Sequence, residues 1–358
     1  MRKNTRKTTR IAMGLDLGDR LSHVAAVTCE DEVRGEWSVK TTQAEMREFF
    51  SDVPKETRVV LEAGTHSPWV SALLEELGLD VIVANPNQAG RAVAANGGKN
   101  DKLDALLLAS FGLNSPRLLR PIKHRSRQAQ DHLSVIRARD GVVAMRTKAI
   151  NMVRGLVKSS GHRLPGCSAS VFHHRVLEHI PENLKLAVLP TLEIIKQLTK
   201  SIRDYDKRID ELSEAYPETK RLQAIGGVGP LIAMAYVLTL EDPSRFKRSR
   251  SVGAFVGLVS RQHESGDSSP QLRITKAGNS YLRRLLIIAA QYILSVNGPD
   301  CELQRFGLRL AARGGKRGKK QAVVAVARKL AVLMHRLWSS GEIYDPLYSK
   351  SKSVQLSA

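Results

Sequence analysis

Short apolar runs broken by polar turns open the chain, and long helical periodicities follow them. Ile11 to Leu17 reads as a buried strand. Ser22 to Thr28 and Val33 to Val39 read as a second and a third strand. Thr42 to Phe50 has helical spacing, with Thr41 or Thr42 as its cap. Arg58 to Leu61 is a β-branched strand, Pro68 to Leu77 a helix, Leu79 to Ala84 another strand, and Lys102 to Phe111 a helix. Three strands in succession, then strand and helix alternating, predict a mixed α/β sheet.

Beyond residue 125 the pattern turns helical. Between Gln128 and Lys158, Ile136, Val143, Ile150 and Val157 recur every seven residues, with arginines and lysines between them. From Leu192 to Leu212 the heptad pairs Ile195, Ile202 and Ile209 with Leu198, Tyr205 and Leu212. An oligomerising coiled coil and an intramolecular helical hairpin both satisfy that pattern. Gly161 to His174 reads as a loop. Ile225-Gly226-Gly227-Val228-Gly229-Pro230 before the apolar Leu231 to Leu238 has the form of a helix-hairpin-helix. In that form Gly227 and Gly229 let the backbone approach a phosphate. A plain tight turn is the alternative. An apolar segment (Val252 to Val259), a polar loop (Arg261 to Gln271) and a helix from Ser280 to Val296 come next. Arg313 to Lys320 reads as a basic loop leading into a helix from Gln321 to Trp338, and the tail after Tyr348 as disordered.

Composition adds a partner class. The 358 residues carry 56 Lys+Arg against 35 Asp+Glu, a net charge of +21. Such charge points to nucleic acid. Its distribution is uneven. Residues 1–10 hold five basic residues and no acid, residues 11–120 hold 11 basic and 16 acidic, and residues 121–358 hold 40 basic and 19 acidic. An acidic module before a basic remainder suits a metal-dependent nuclease, because a carboxylate cluster for Mg²⁺ is net negative before the metal arrives. Aromatics at 5% argue against recognition built mainly on base stacking. Cys29, Cys167 and Cys301 are too few and too scattered for a disulfide framework or a cysteine zinc site. The longest apolar stretch, Leu285 to Val296, falls short of the ~20 residues of a spanning helix. The expectation is a cytoplasmic, nucleoid-associated protein with no membrane contact.

Four carboxylates stand out. Asp16 ends the first strand and Glu62 follows Leu61 at the end of another. Asp101 and Asp104 are three residues apart at a helix start, so they share a face. Together they have the composition of a two-ion site with the metals ~3.5–4 Å apart. Taken singly, Asp101 fits a helix N-cap, Asp104 a capping-box partner, and Glu62 a turn start. Asp19 is a spare carboxylate beside Asp16.

This order of acids resembles the DEDD-type insertion-sequence transposases, bridge-RNA-guided serine recombinases related to the pilin-gene inversion recombinases. GLDLGDR, VVLEAGT and KNDKLDALLLA carry the resemblance in the first region. LQAIGGVGPLIA, VGAFVGLVSRQHESGDS and RITKAGNSYLRR carry it in the last. It implies an α/β plus α chain. A basic tail (1–10) precedes a ribonuclease H-like, Holliday-junction-resolvase-like DEDD catalytic domain (11–125). A helical or coiled-coil linker and dimerisation region (126–218) leads to a mostly helical C-terminal transposase domain (219–345), and a disordered tail (346–358) ends the chain. It also implies two Mg²⁺ ions on Asp16, Glu62, Asp101 and Asp104, and Ser265 of Arg261-Gln262-His263-Glu264-Ser265-Gly266 as nucleophile.

The same resemblance implies a phosphoserine link to DNA during strand cleavage and exchange. Donor and target DNA, a structured guide RNA and a homo-oligomer, dimer or tetramer, are the implied partners. Without it, Ser265 reads as a solvated loop serine. Arg261, Arg273, Lys276, Arg283, Lys316, Arg317, Lys319 and Lys320 are candidate nucleic-acid contacts, each equally a surface charge. Two other readings compete: a hydrolytic junction resolvase without a protein nucleophile, and a non-enzymatic basic nucleic-acid-binding protein.

Overall fold

The computed structural model describes residues 11–86, 100–262 and 272–348. The chain divides into two compact units, Met1–Arg125 and Ser126–Ala358.

The first unit is a five-stranded mixed sheet with helices on both faces. Strands β1 (Ile11–Asp16), β2 (Leu21–Thr28), β3 (Val33–Lys40), β4 (Arg58–Glu62) and β5 (Asp80–Ala84) lie in the order β3-β2-β1-β4-β5. The first three form an antiparallel meander, whereas β4 and β5 run parallel to β1. Short turns suffice for the meander, and the parallel strands need helical crossovers. Helix α1 (Gln43–Ser51) supplies the first crossover, capped by Thr42, whose hydroxyl accepts from the Glu45 amide. Helix α2 (Ser67–Glu76) supplies the second. Met13, Leu15, Val59 and Leu61 pack with Met46, Phe50, Val70 and Leu74 of these helices. Strand alternation turns Gly14, Asp16, Val60 and Glu62 to the other face. There helix α3 (Asp101–Asn114) lies across the sheet, with Leu108 packed on Val60 and Ala84.

The second unit is mostly helical. Helices α4 (Arg127–Ser159) and α6 (Lys185–Ser213) form an antiparallel hairpin, with short α5 (Phe172–Arg175) near its tip. Ile150, Val153 and Val157 meet Val188, Leu192 and Ile195 at one end, while Ala129, Leu133 and Ile136 share a core with Ile209 at the other. The heptad isoleucines therefore face an intramolecular partner. The hairpin base shares its core with the C-terminal helices.

That core surrounds α8 (Pro230–Leu240), buried on all sides. Around it stand α7 (Pro217–Gln223), α9 (Ser251–Phe255), α10 (Ser280–Ile293), α11 (Glu302–Ala311) and α12 (Gly315–Ser340). Two expectations change. The basic stretch read as a loop over Arg313 to Lys320 is helical from Gly315 onward, because lysine and arginine are good helix formers and the break falls at Gly314 and Gly315. The second hairpin helix starts at Lys185 and carries Pro190 inside it. Among the described residues, no helix is long and apolar enough to cross a membrane.

Candidate metal centre and nucleic-acid groove

Three of the four expected carboxylates converge. Ligand atoms of Asp16, Asp101 and Asp104 all lie within 4.8 Å of one another. Asp16 comes from the end of β1, and the other two from the first turn of α3. Asn100 caps that helix, its side chain accepting from the Lys102 amide at 3.1 Å. The cap is thus not Asp101, and the Asp101 carboxylate is left for the cluster. Glu62 falls outside this trio. It ends β4, whose register pairs Leu61 with Leu15, so it stands beside Asp16 on the neighbouring strand and the same face. Asp19 is 94% exposed and stands 3.7 Å from His66 Nε2.

Two glycines set the height of α3 above the sheet. A Cβ on Gly14 would fall 1.8 Å from the Ala105 carbonyl oxygen and 2.6 Å from the Ala109 nitrogen. One on Gly112 would fall 2.1 Å from Val60 Cγ2. Helix and strand are therefore in backbone contact, which brings the first turn of α3 down to Asp16. Asp31 fixes the far end, accepting from Ser110 Oγ at 2.6 Å and Asn114 Nδ2 at 3.2 Å. Beside Glu62, the turn to α2 is held by buried Ser67. Its hydroxyl accepts from the Gly64 amide at 2.9 Å and stands 2.9 Å from His124 Nε2. Burial and the adjacent Arg125 push the His124 pKa down.

Carboxylates this close repel unless a cation or proton lies among them. An all-oxygen, anionic donor set with Asp101 exposed and Asp16 and Asp104 half-buried fits a hard divalent cation that keeps part of its water shell. The chemistry of the donor set therefore fits the expected metal.

The second unit carries an open groove of about 1370 Å³. Arg273, Lys276, Arg317 and Lys320 line it, four of the residues singled out from sequence. Arg250, Arg313, Arg328 and Lys329 also line it and were missed, because their cations converge only through the packing of α12 on its neighbours. Glu302 and Asp345 are the acids on its wall. Arg261 and Lys319 do not line the groove. Neither does Arg283, whose Nη1 donates to the carbonyls of Val256 at 3.0 Å and Ala277 at 2.7 Å. That guanidinium ties down the turn at Gly278, where a Cβ would meet the Phe255 carbonyl oxygen at 1.9 Å.

Gly227 takes φ +92 and packs toward Tyr292 and Ile293, so it serves a tight turn. Gly229 caps α8 with open space where a Cβ would sit. Ser265, His263 and Glu264 lie outside the described residues. The segments flanking them are clamped together: the Arg261 amide donates to the Arg273 carbonyl at 2.9 Å, and the Thr275 amide to that of Val259 at 2.8 Å. The first ten residues and those after Tyr348 also lie outside the description.

Residues 13–161 match the DEDD transposase model of the IS110 type, and residues 219–304 match the transposase IS116/IS110/IS902 family. The transposase for insertion sequence element IS1111A of Coxiella burnetii is 30% identical over 321 residues, covering 86% of each chain. The transposase for insertion sequence element IS1328 of Yersinia enterocolitica is 26% identical, over 78% of this chain and 82% of its own. The pilin gene-inverting protein of Moraxella bovis is 27% identical over 42% of this chain and 47% of its own. With two family models in order along the chain and a relative matched over most of both lengths, the chain belongs to the IS110 family of transposases, enzymes that act on DNA by transposition and recombination.

Proposed function

We propose that this transposase cuts and rejoins DNA by metal-dependent phosphoryl transfer at a ribonuclease H-like carboxylate centre, with Ser265 as nucleophile. The convergence of Asp16, Asp101 and Asp104, with Glu62 beside them, carries the reading. Asp16, Glu62, Asp101 and Asp104 would hold Mg²⁺, two ions in the full site. Bound there, such a metal would supply charge neutralisation at the scissile phosphate and make a nearby hydroxyl more acidic. The rest falls to the protein. The Ser265 hydroxyl gives up its proton and attacks phosphorus, an oxygen–phosphorus bond to serine forms, and the bond to one deoxyribose oxygen breaks. The departing oxygen takes up a proton, and a sugar hydroxyl from a second strand reverses the step. The link keeps the phosphodiester energy for rejoining.

The groove lined by Arg273, Lys276, Arg317 and Lys320 is the proposed track for a DNA backbone. Cations at the N-terminal end of α12, where no acid stands in the first turn, oppose the helix dipole. A phosphate there relieves that opposition. The family resemblance further supports guidance by a structured RNA, a homo-oligomeric assembly, and a nucleoid-associated cytoplasmic setting.

Covalent trapping with a nicked or junction substrate tests the mechanism. Asp104→Asn is expected to abolish cleavage and keep DNA binding. Ser265→Ala is expected to abolish the protein–DNA adduct. Cleavage by Ser265→Ala without an adduct would establish the hydrolytic resolvase reading instead. Sequencing of co-purified RNA tests guidance, and a uniform scatter of cellular transcripts counts against it.

A further inference from the structure

The flank of the helical hairpin holds charges that neither the carboxylates nor the groove uses. Arg139 and Arg146 on α4 stand opposite Thr199, Arg203 and Asp206 on α6. Asp206 is committed to Arg139, with Oδ1 2.5 Å from Nε. Glu193 is committed to Lys196 at 3.2 Å and Gln197 at 3.0 Å. Arg146 reaches only the Thr199 hydroxyl, at 3.4 Å, and its Nε is buried with no acceptor among the described residues. On α5, His173 Nδ1 is also buried and without a hydrogen-bond partner among the described residues. Burial and the repulsion of Arg139 and Arg203 lower the Arg146 pKa, against the pull of Asp206. Burial, His174, Lys196 and Arg203 lower that of His173, against the pull of Glu193. Arg203 thus acts on both. It is exposed and makes no hydrogen bond or ion pair among the described residues.

A buried polar group left without a partner costs ~1–3 kcal/mol, and more when charged. An acceptor-only anion offsets that cost at the Arg146 Nε–H, and at His173 when Nδ1 carries the ring proton, whereas a cation beside Arg146 raises it. Lys196, Lys200 and Arg203 are exposed at roughly one-turn intervals along α6, which suits a chain of anions rather than a single ion. We propose that Arg146, Arg203 and His173 form a phosphate-binding site for a nucleic-acid backbone on the hairpin flank. The site adds a contact surface to an enzyme of the shown family. It does not require RNA guidance or the serine mechanism.

Fluorescence anisotropy on the intact chain tests it, with a labelled DNA duplex and a labelled structured RNA titrated over a salt series. Arg203→Gln and Arg146→Gln are each expected to flatten the plot of log Kd against log salt for one of the two polymers. The expected change is about 0.9 per lost contact on duplex DNA, and about 0.7 where the contact falls on a single-stranded part of the RNA. Arg203→Gln removes an exposed side chain, so folding does not confound it. Lys207→Gln, on the same helix and 3.8 Å from Glu211, is expected to leave both slopes as they are. The polymer whose slope falls identifies the ligand. Unchanged slopes for both polymers in both arginine variants overturn the proposal. So does a thermal shift by inorganic phosphate that Arg146→Gln removes while both slopes stand. Asp104→Asn is expected to keep wild-type slopes, so failure of this site and failure of the carboxylate centre read out separately.

Discussion

Gly14 decides whether the carboxylates converge at all, although it carries no chemistry. Any side chain there strikes the backbone of Ala105 and Ala109, which cannot swing aside as a long side chain does. Gly14→Ala is expected to lift α3 and cost about 1–3 kcal/mol of overpacking. It is also expected to abolish the thermal stabilisation that Mg²⁺ is expected to give, and Asp104→Asn is expected to do so without the loss of fold. Differential scanning fluorimetry with and without Mg²⁺ separates the two variants. His124 gives a second residue-scale test. Its pKa lies below the usual 6.5, so the unfolded chain takes the proton more readily than the folded one. The stability from neutral His124 is therefore present above about pH 6.5 and is lost as pH falls below it. The melting temperature of the first unit is expected to drop between pH 7 and pH 5.5, and His124→Gln to reduce the drop. Equal drops in both proteins would remove His124 from the account.

At the scale of elements, α12 sets stability against binding. Arg317 lies in its first turn, where a carboxylate suits the helix dipole and a guanidinium does not. Arg317→Glu is expected to stabilise the second unit by ~0.3–1 kcal/mol and to weaken DNA binding. A variant that loses both would place Arg317 in packing instead. The strands and helices of the first unit were legible in the sequence because each is short and bounded by a cap, a turn or a proline, as at Thr42 and Pro86. The helical start of α12 was not, because three glycines among lysines and arginines have the composition of a loop. Only the packed structure shows that Gly318 sits where a Cβ would lie 3.2 Å from the Ala311 carbonyl oxygen. Strand ends named the acids of the site. Their convergence depended on the height of α3, and no residue pattern encodes that distance. The groove cations Arg250, Arg313 and Arg328 lie on separate elements, and nothing in their local sequence marks them as neighbours.

For the whole molecule, the division of charge follows the division into units. The unit with the carboxylate cluster is the acidic one apart from its basic tail, and the unit with the groove and hairpin carries most of the positive charge. Two compact units predict two calorimetric transitions, of which Mg²⁺ raises only the one belonging to Met1–Arg125. A single transition raised as a whole would mean that the units unfold together. The contact of α3 with Gly14 also sets an order in time. Asp16 and Glu62 leave the ribosome early, but the cluster waits for Asp101 and Asp104, and their helix is complete only at Asn114. A nascent or prematurely terminated chain that stops before residue 101 holds two acids and a bare strand face. The carboxylate cluster thus comes into being only after nearly a third of the protein has been synthesised.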